Sequence, residues 1–443
     1  MTKVNTFSGG VHPVKKNRDK FLSSGKPVIL LNTPNEIVIP LLQHTGAPAS
    51  PLVAPGDTVL MGQKIAQASS FVSANIHSSV SGTVKAIEKR PHISGVPVLS
   101  IVIANDGKDT PDPYIQPRNA DNLSAKEIIE IIKEAGIVGM GGAAFPAHVK
   151  LSPPPGNTFD TIILNAAECE PYLTADHRLM LEQPQGVAQG FKLIQKAAGA
   201  KRAVIAIEDN KPDAIEALAT AVQGSGIEIL VLKSKYPQGA EKQIISSVTG
   251  REVPSCGLPY QVGVAVANAA TAYAVYQAVT MGIPTYERIV TVTGCFKEPA
   301  NFLCRVGTPL SALVDAAGGF AEPPAKLISG GPMMGLAIHT LDLPVMKATS
   351  GLLALSAREA KKTEESNCIR CGKCISVCPI GLKPLYLNAY ALKGDFERAE
   401  KEHALDCIEC GCCSYICPAK RYLAQSIRLA KNEIMSARKK KSN

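Results

Sequence analysis

The spacing of apolar and polar residues changes several times along the chain, and each change predicts a different kind of element. Residues 37 to 103 read as short strands separated by turns at Pro55-Gly56-Asp57, Gly62-Gln63 and Ser81-Gly82-Thr83-Val84. A linker rich in Asp and Pro, 106 to 117, leads to Ser124, with Glu127 three residues on as a capping box. Ile128, Ile131, Ile132 and Ala135 then recur at helical spacing. Three apolar runs at 161–164, 203–207 and 227–232 are separated by segments of helical character such as 213–222. Strand alternating with helix predicts an α/β layer with a mostly parallel sheet. From 288 to about 355 the pattern becomes strand (Val290 to Gly294), short helix (310–316) and Gly-rich turn (Ser329-Gly330-Gly331-Pro332), a small α+β module. A charged linker, 358–365, and a helical stretch, 385–403, complete the outline.

Between Val253 and Tyr286 no charged residue occurs, a length that can in principle span a bilayer. Pro254, Pro259, Gln261, Asn268, Gln277 and Pro284 interrupt it, and Ala and Gly outweigh Leu, Ile and Phe, so it is read as a buried helix. The first residues lack the apolar core of a signal peptide, and Lys15, Lys16, Arg18 and Lys20 follow without one, which points to the cytosol. At 443 residues the chain is expected to hold several domains. Its net charge of +9 is partly carried by the run Arg438 to Lys441, read as a solvated basic tail. Basic residues are not interleaved with aromatics, so nucleic acid is not an expected partner; a mildly basic surface suits an acidic protein.

Thirteen cysteines in such a chain argue for metal or redox chemistry rather than disulfides. Cys169, Cys256, Cys295 and Cys304 are scattered and are read as small buried apolar residues. Eight others form two copies of one pattern: Cys368-x2-Cys371-x2-Cys374-x3-Cys378-Pro379 and Cys407-x2-Cys410-x2-Cys413-x3-Cys417-Pro418. Paired Cys-x2-Cys units also build zinc sites. Two complete copies, each closed by Pro, match instead the two-cluster ferredoxin pattern, in which the fourth cysteine of each copy ligates the other cluster. Cys368, Cys371, Cys374 and Cys417 are thus assigned to one [4Fe-4S] cluster, and Cys407, Cys410, Cys413 and Cys378 to the other. Cys412 falls outside the ligand spacing.

Such clusters exchange single electrons, whereas metabolic reductants deliver pairs, so a flavin is expected upstream. Gly139, Gly141 and Gly142, in the run Gly139-Met140-Gly141-Gly142-Ala143-Ala144-Phe145-Pro146, let a backbone approach a phosphate or planar ring. With Asn165-Ala166-Ala167-Glu168-Cys169-Glu170-Pro171, Tyr236-Pro237-Gln238-Gly239-Ala240-Glu241 and Ala267-Asn268-Ala269-Ala270-Thr271, the constellation resembles the flavoprotein (51-kDa type) subunit of respiratory complex I. That resemblance implies an FMN pocket lined by Gly139, Gly141, Gly142, Lys150, Asn165, Glu168, Tyr236, Gly239, Glu241 and Asn268, with Phe145, Glu170 and Glu241 facing NAD(H). Met140 and Ala167 replace an Arg and an acidic residue usual there. His148 and His177 lie near the site in sequence and are read as packed or solvated.

The first module resembles the biotinyl/lipoyl-carrier barrel, yet 65–81 contains no lysine for attachment, so it is read as structural or docking. From Phe7-Ser8-Gly9-Gly10-Val11-His12-Pro13 to the paired clusters, the whole chain resembles the C subunit of the Rnf complex. The resemblance implies a multidomain α/β and α+β chain: N-terminal segment 1–36, barrel 37–110, FMN/NAD(H) domain 118–286, soluble-ligand-binding β-grasp domain 287–356, two-cluster ferredoxin-like domain 357–430 and basic tail 431–443. It implies a peripheral subunit on the cytoplasmic side of the cell membrane, within an ion-translocating ferredoxin:NAD+ oxidoreductase. Its partners would be the other Rnf subunits, ferredoxin through the complex, and NAD(H). A soluble cobalamin-reductase type of flavin and iron-sulfur enzyme, and an electron-relay scaffold without nucleotide binding, are the alternative readings. Anaerobic reconstitution should load about eight irons per chain; about four would contradict the two-cluster ligand count.

Overall fold

The computed structural model describes residues 5–13, 20–361 and 363–442, so Lys15, Lys16, Arg18 and most of the leader reading lie outside the described residues. Strands Glu36–Pro40, Val98–Asn105, Gly82–Arg90 and Thr58–Val59 form one antiparallel sheet of the barrel, and Ser50–Pro51, Lys64–Gln67 and Ile76–His77 a second. Their inward residues, including Ile37, Ile39, Val59, Ile65, Ile76, Val84, Ile101 and Ile103, make one buried core. Gly82 is required at the edge of this sheet, because a Cβ there would stand 2.0 Å from the Ala104 carbonyl oxygen.

The central domain is a four-stranded parallel sheet, in the order Glu228–Leu232, Arg202–Glu208, Thr161–Ala166, Val264–Asn268. The helix after the Asp/Pro linker spans Ala125–Glu134 and starts as expected. Ser124 Oγ accepts from the Glu127 N–H at 3.3 Å, and the Glu127 carboxylate accepts from the Ser124 N–H at 2.7 Å. The charge-free stretch is not one helix. It is split into the strand Val264–Asn268, the helix Ala269–Tyr276 and a π turn, Gln277–Met281. A short run of Val and Ala has no period that separates strand from helix; pairing with the strand Thr161–Ala166 decides it. The small residues serve close packing: a Cβ on Gly190 of the helix Pro184–Ala198 would lie 1.8 Å from the Ala272 carbonyl oxygen. No described helix is long and apolar enough to cross a membrane.

The β-grasp module carries a six-stranded mixed sheet and the helix Leu310–Ala316. Its edge strand is Ile29–Leu30, paired in parallel with Phe302 and Leu303, so the N-terminal segment is not a separate unit. That segment straps the modules together. Asn5 bridges to Leu232, Val11 to Tyr236, and the Gly10 N–H donates to the Val377 carbonyl at 2.8 Å.

In the last domain the two cysteine loops lead into the short helices Lys373–Ser376 and Cys412–Ile416. The expected helical stretch between them breaks at Gly394 into Pro384–Leu392 and Phe396–Lys401. Helix Leu423–Ser442 runs through the expected 430/431 boundary, so the basic tail continues the domain. It does so because Ile434, buried with Ile427 and Ala430 against Leu387, anchors the helix to the core. The scattered cysteines are also less uniform than expected. Cys304 is buried and Cys169 and Cys295 are half-buried, while Cys256 is exposed in a turn whose N–H is taken by the Asp406 carboxylate.

Three modules meet at Lys347. Its buried ammonium donates to the carbonyls of Asn75, in the barrel, and Gly136, ahead of the Gly-rich run, each at 2.7 Å. Burial without a carboxylate partner pushes its pKa down to about 7. Between that value and the unfolded one near 10.5, the unfolded chain binds a proton that the folded chain does not. Stability should therefore rise with pH from 7 toward 9 by up to about 1.4 kcal/mol per unit from this group. Replacing Lys347→Met should flatten that slope, read as melting temperature against pH for both proteins.

Candidate flavin and iron-sulfur sites

In the parallel sheet, the chain leaves the strand Thr161–Ala166 for one side and reaches Val264–Asn268 on the other. Loops diverge at the carboxyl ends of two such neighbours, which opens a crevice. Asn165 and Asn268 are paired in register at that end. Asn268 caps the helix Ala269–Tyr276, its Oδ1 accepting from the N–H groups of Ala270 at 2.9 Å and Thr271 at 3.3 Å. Its amide donates to Asp176 at 2.6 Å. Asn165 donates to the Gly239 carbonyl at 2.7 Å.

The Gly-rich run folds over the same end. A Cβ on Gly141 would stand 3.2 Å from Asn268 Cβ, and Gly141, Gly142 and Ala143 are exposed. Gly142 has φ +156° and open space around it. Lys150 pairs with Glu241 at 2.5 Å, both partly exposed, a cation and an anion at the rim. Phe145 is half-buried. The Glu168 carboxylate accepts from the N–H groups of Asp176 and His177 at 2.7 and 3.1 Å, holding the start of the helix Ala175–Glu182. Its backbone has φ +45°, a left-handed geometry that the surroundings must enforce. They do so from below: Lys20 donates to the carbonyls of Glu168, Glu170 and Leu173, and Lys211 to that of Ala167.

Two expected pocket residues are committed elsewhere. Glu170 does not face open space; its buried carboxylate accepts from the N–H groups of Met333 and Met334 at 2.8 and 2.9 Å, fastening the β-grasp turn to the sheet, and burial raises its pKa. Tyr236 is buried, and its hydroxyl donates to the Cys410 carbonyl at 2.9 Å. Residues not expected also take part. Thr271 Oγ1 accepts the Met140 N–H at 2.9 Å, which turns the Met140 side chain into the core. Asp176, pushed up to about 6 by burial and then by the Glu168 carboxylate, lines with Arg288 a cleft that shares only Met140 with the Gly-rich run. Thr271 lies within the motif 267–271, whereas Lys20, Lys211 and Asp176 carry no local signal, since only folding brings them under the loop. His148 and His177 are packed, His177 against Asp213 at 2.9 Å. The barrel loop also reaches this run, Thr45 donating to the carbonyls of Ala143 and Ala144.

Cys378, from the first motif, lines one pocket together with Cys407, Cys410, Cys412 and Cys413 of the second. Cys374, Cys413 and Cys417 pack together with Leu423. Among the described residues, no three possible ligands gather closely enough for a single metal ion. The Arg370 and Glu409 N–H groups each point at the sulfur two residues back, at 3.4 Å, with φ +55° and +57°. The loops thus repeat in geometry as in sequence.

Family models match along the chain: an RnfC barrel sandwich hybrid domain at residues 5–108, a Nuo51 FMN-binding domain at 132–277, an SLBB domain at 289–337 and a 4Fe-4S dicluster domain at 360–418. The C subunit of the Na(+)-translocating ferredoxin:NAD(+) oxidoreductase complex of Acetobacterium woodii is 48% identical over 99% of both chains. The chain belongs to the RnfC family. The proton-translocating counterpart from Clostridium ljungdahlii is 49% identical over 98% of this chain and 95% of its own. The C subunit of the ion-translocating oxidoreductase complex of Rhodobacter capsulatus is 44% identical over 99% of this chain and 85% of its own. The crystal structure of an air-oxidized NAD+-reducing [NiFe]-hydrogenase matches 64% of this RnfC-family chain and 55% of its own, with TM-score 0.50 and 19% identity, a likeness of fold. FMN and two [4Fe-4S] clusters are the cofactors of this RnfC-family chain, and the gathered glycines, asparagines and thiols fit them.

Asn268→Ala removes a helix cap and the hold on Asp176. It should cost about 1 kcal/mol of stability and weaken flavin retention roughly tenfold, read by melting of the flavin-free protein and by fluorescence of released flavin.

Proposed function

We propose that this chain is the peripheral, cytoplasmic-side subunit of a membrane-bound, ion-translocating ferredoxin:NAD+ oxidoreductase, where NAD(H) and FMN exchange hydride and single electrons pass through two [4Fe-4S] clusters. The observation that carries the reading is the buried contact between the flavin domain and a cluster loop. Tyr236, Cys410, Cys412 and Val11 form one apolar knot, with Cys169 and Met333 packed on it. FMN, when bound, supplies the conversion between an electron pair and single electrons.

The chain's own residues set the order of the relay. Cys410 is buried next to Tyr236, whereas Cys368 and Cys371 are exposed. The Cys378/407/410/413 site is therefore the inner one and the Cys368/371/374/417 site the outer one. Gln243 donates to the Pro379 carbonyl at 3.1 Å and Asp406 accepts from Cys256, so the inner site is held rigidly against the flavin domain. The exposed backbone of Gly141 and Gly142 lets phosphate and ring approach closely, and the Lys150–Glu241 pair marks the open rim for the nucleotide. We assign the pocket to Gly139, Gly141, Gly142, Lys150, Asn165, Glu168, Gly239, Glu241 and Asn268, with Phe145 beside the nucleotide.

Anaerobic addition of NADH to the protein carrying flavin and clusters should bleach the flavin bands and then the broad cluster absorbance. No change on adding NADH would favour the relay scaffold without nucleotide binding. Fast NADH oxidation coupled to free corrinoid reduction would favour the soluble reductase.

A further inference from the structure

The two cysteine loops share one backbone course but differ in charge and cover. In the inner loop, Glu409 occupies the left-handed position and is bound by Arg428 at 2.5 Å and Lys431 at 2.6 Å, both on the helix Leu423–Ser442. That helix closes the loop. In the outer loop the same position is Arg370, and Lys373 follows. Lys420 follows Ala419, whose carbonyl accepts the N–H of Ser366, two residues ahead of Cys368. All three are exposed, and among the described residues none joins an ion pair. Ile369 lies between the exposed thiols of Cys368 and Cys371 and is 69% exposed, and Ile375 is also exposed.

An apolar tip ringed by unpaired cations over the outermost one-electron site has a specific use. Proteins that pass electrons meet over small, short-lived interfaces, and opposite charge speeds their encounter. We propose that the Cys368–Cys374 loop is the docking surface for an acidic protein with a one-electron centre near its own surface, Ile369 and Ile375 seating it and Arg370, Lys373 and Lys420 steering it. Beyond the relay order given above, this names the face and the charge of the partner, and it rests on that order only in taking this site as the outer one.

The internal repeat supplies the variant that tests this. Arg370→Glu copies the residue that the second loop already carries in the same backbone geometry. Lys373→Glu completes the reversal, and Lys439→Glu with Lys440→Glu on the last helix makes the same change in net charge elsewhere. The probe is a pre-reduced, strongly acidic bacterial two-cluster ferredoxin, mixed with flavin-free, cluster-loaded full-length protein while cluster reduction is followed by stopped flow. The rate with unaltered protein should fall steeply as salt rises, and the Arg370/Lys373 reversal should slow it about tenfold or more at low salt. The Lys439/Lys440 control should change it less than about twofold. Iron content near eight per chain and unchanged reduction by dithionite show that the variant still holds its clusters; if it does not, Arg370→Gln with Lys373→Gln takes its place and should slow the rate about threefold. A salt-independent rate, an unaffected reversal, or an equal effect of the control overturns the proposal. Because no flavin or NADH enters this measurement, a failed NADH titration and a failed docking test remain separate results.

Discussion

The electron path depends on one buried contact: the Tyr236 ring, pinned on its backbone by Val11 and donating its hydroxyl to the carbonyl of Cys410. A single hydrogen bond of this kind contributes only about 1 kcal/mol net, yet leaving either partner unsatisfied in so buried a place costs more. The bond ties the flavin domain to the Cys407–Cys413 loop. The surrounding ties support that spacing. Gly9 packs so closely on the Cys378 loop that a Cβ would stand 2.8 Å from its carbonyl oxygen, and Asp406 of the cluster domain binds the 255–256 turn of the flavin domain.

The same logic explains the buried cations. Lys20, Lys211 and Lys347 bury their ammonium groups and end on backbone carbonyls. Each bond joins segments distant in sequence, and two of the three sit under the loop that carries Asn165 to Leu173. A loop with left-handed Glu168 and Tyr172 does not hold its shape through local propensity, so its carbonyls are tied from below by long side chains. The barrel plays a related part. Its contacts with Ala143 and Ala144 brace the Gly-rich run from outside.

The clusters were legible because their chemistry is written locally: eight thiols, two prolines and one repeated spacing. The helix cap at Ser124, the alternation of the barrel and the parallel strands at 161–166 and 202–208 were legible for the same reason. The strand Val264–Asn268 was not, since four small apolar residues followed by an Asn carry no period. Nor was the fate of Glu170 and Tyr236, whose motif places them at a pocket while the packed modules draw them into domain contacts.

By itself the sequence determined that the chain carries a 4Fe-4S dicluster domain and an FMN-binding domain, because those depend on residue identity and spacing along one segment. Only the tertiary structure decided which cysteine loop packs against the flavin domain, which carboxylates are tied into domain contacts, and that the N-terminal segment straps the modules together. These depend on burial and on contacts between residues more than a hundred positions apart, such as Lys20 with Glu168 or Tyr236 with Cys410. The difference between Arg370 and Glu409 belongs to both levels. The residues are plain in the sequence, but their opposite settings, one open to solvent and one held by a helix, arise only in the folded chain.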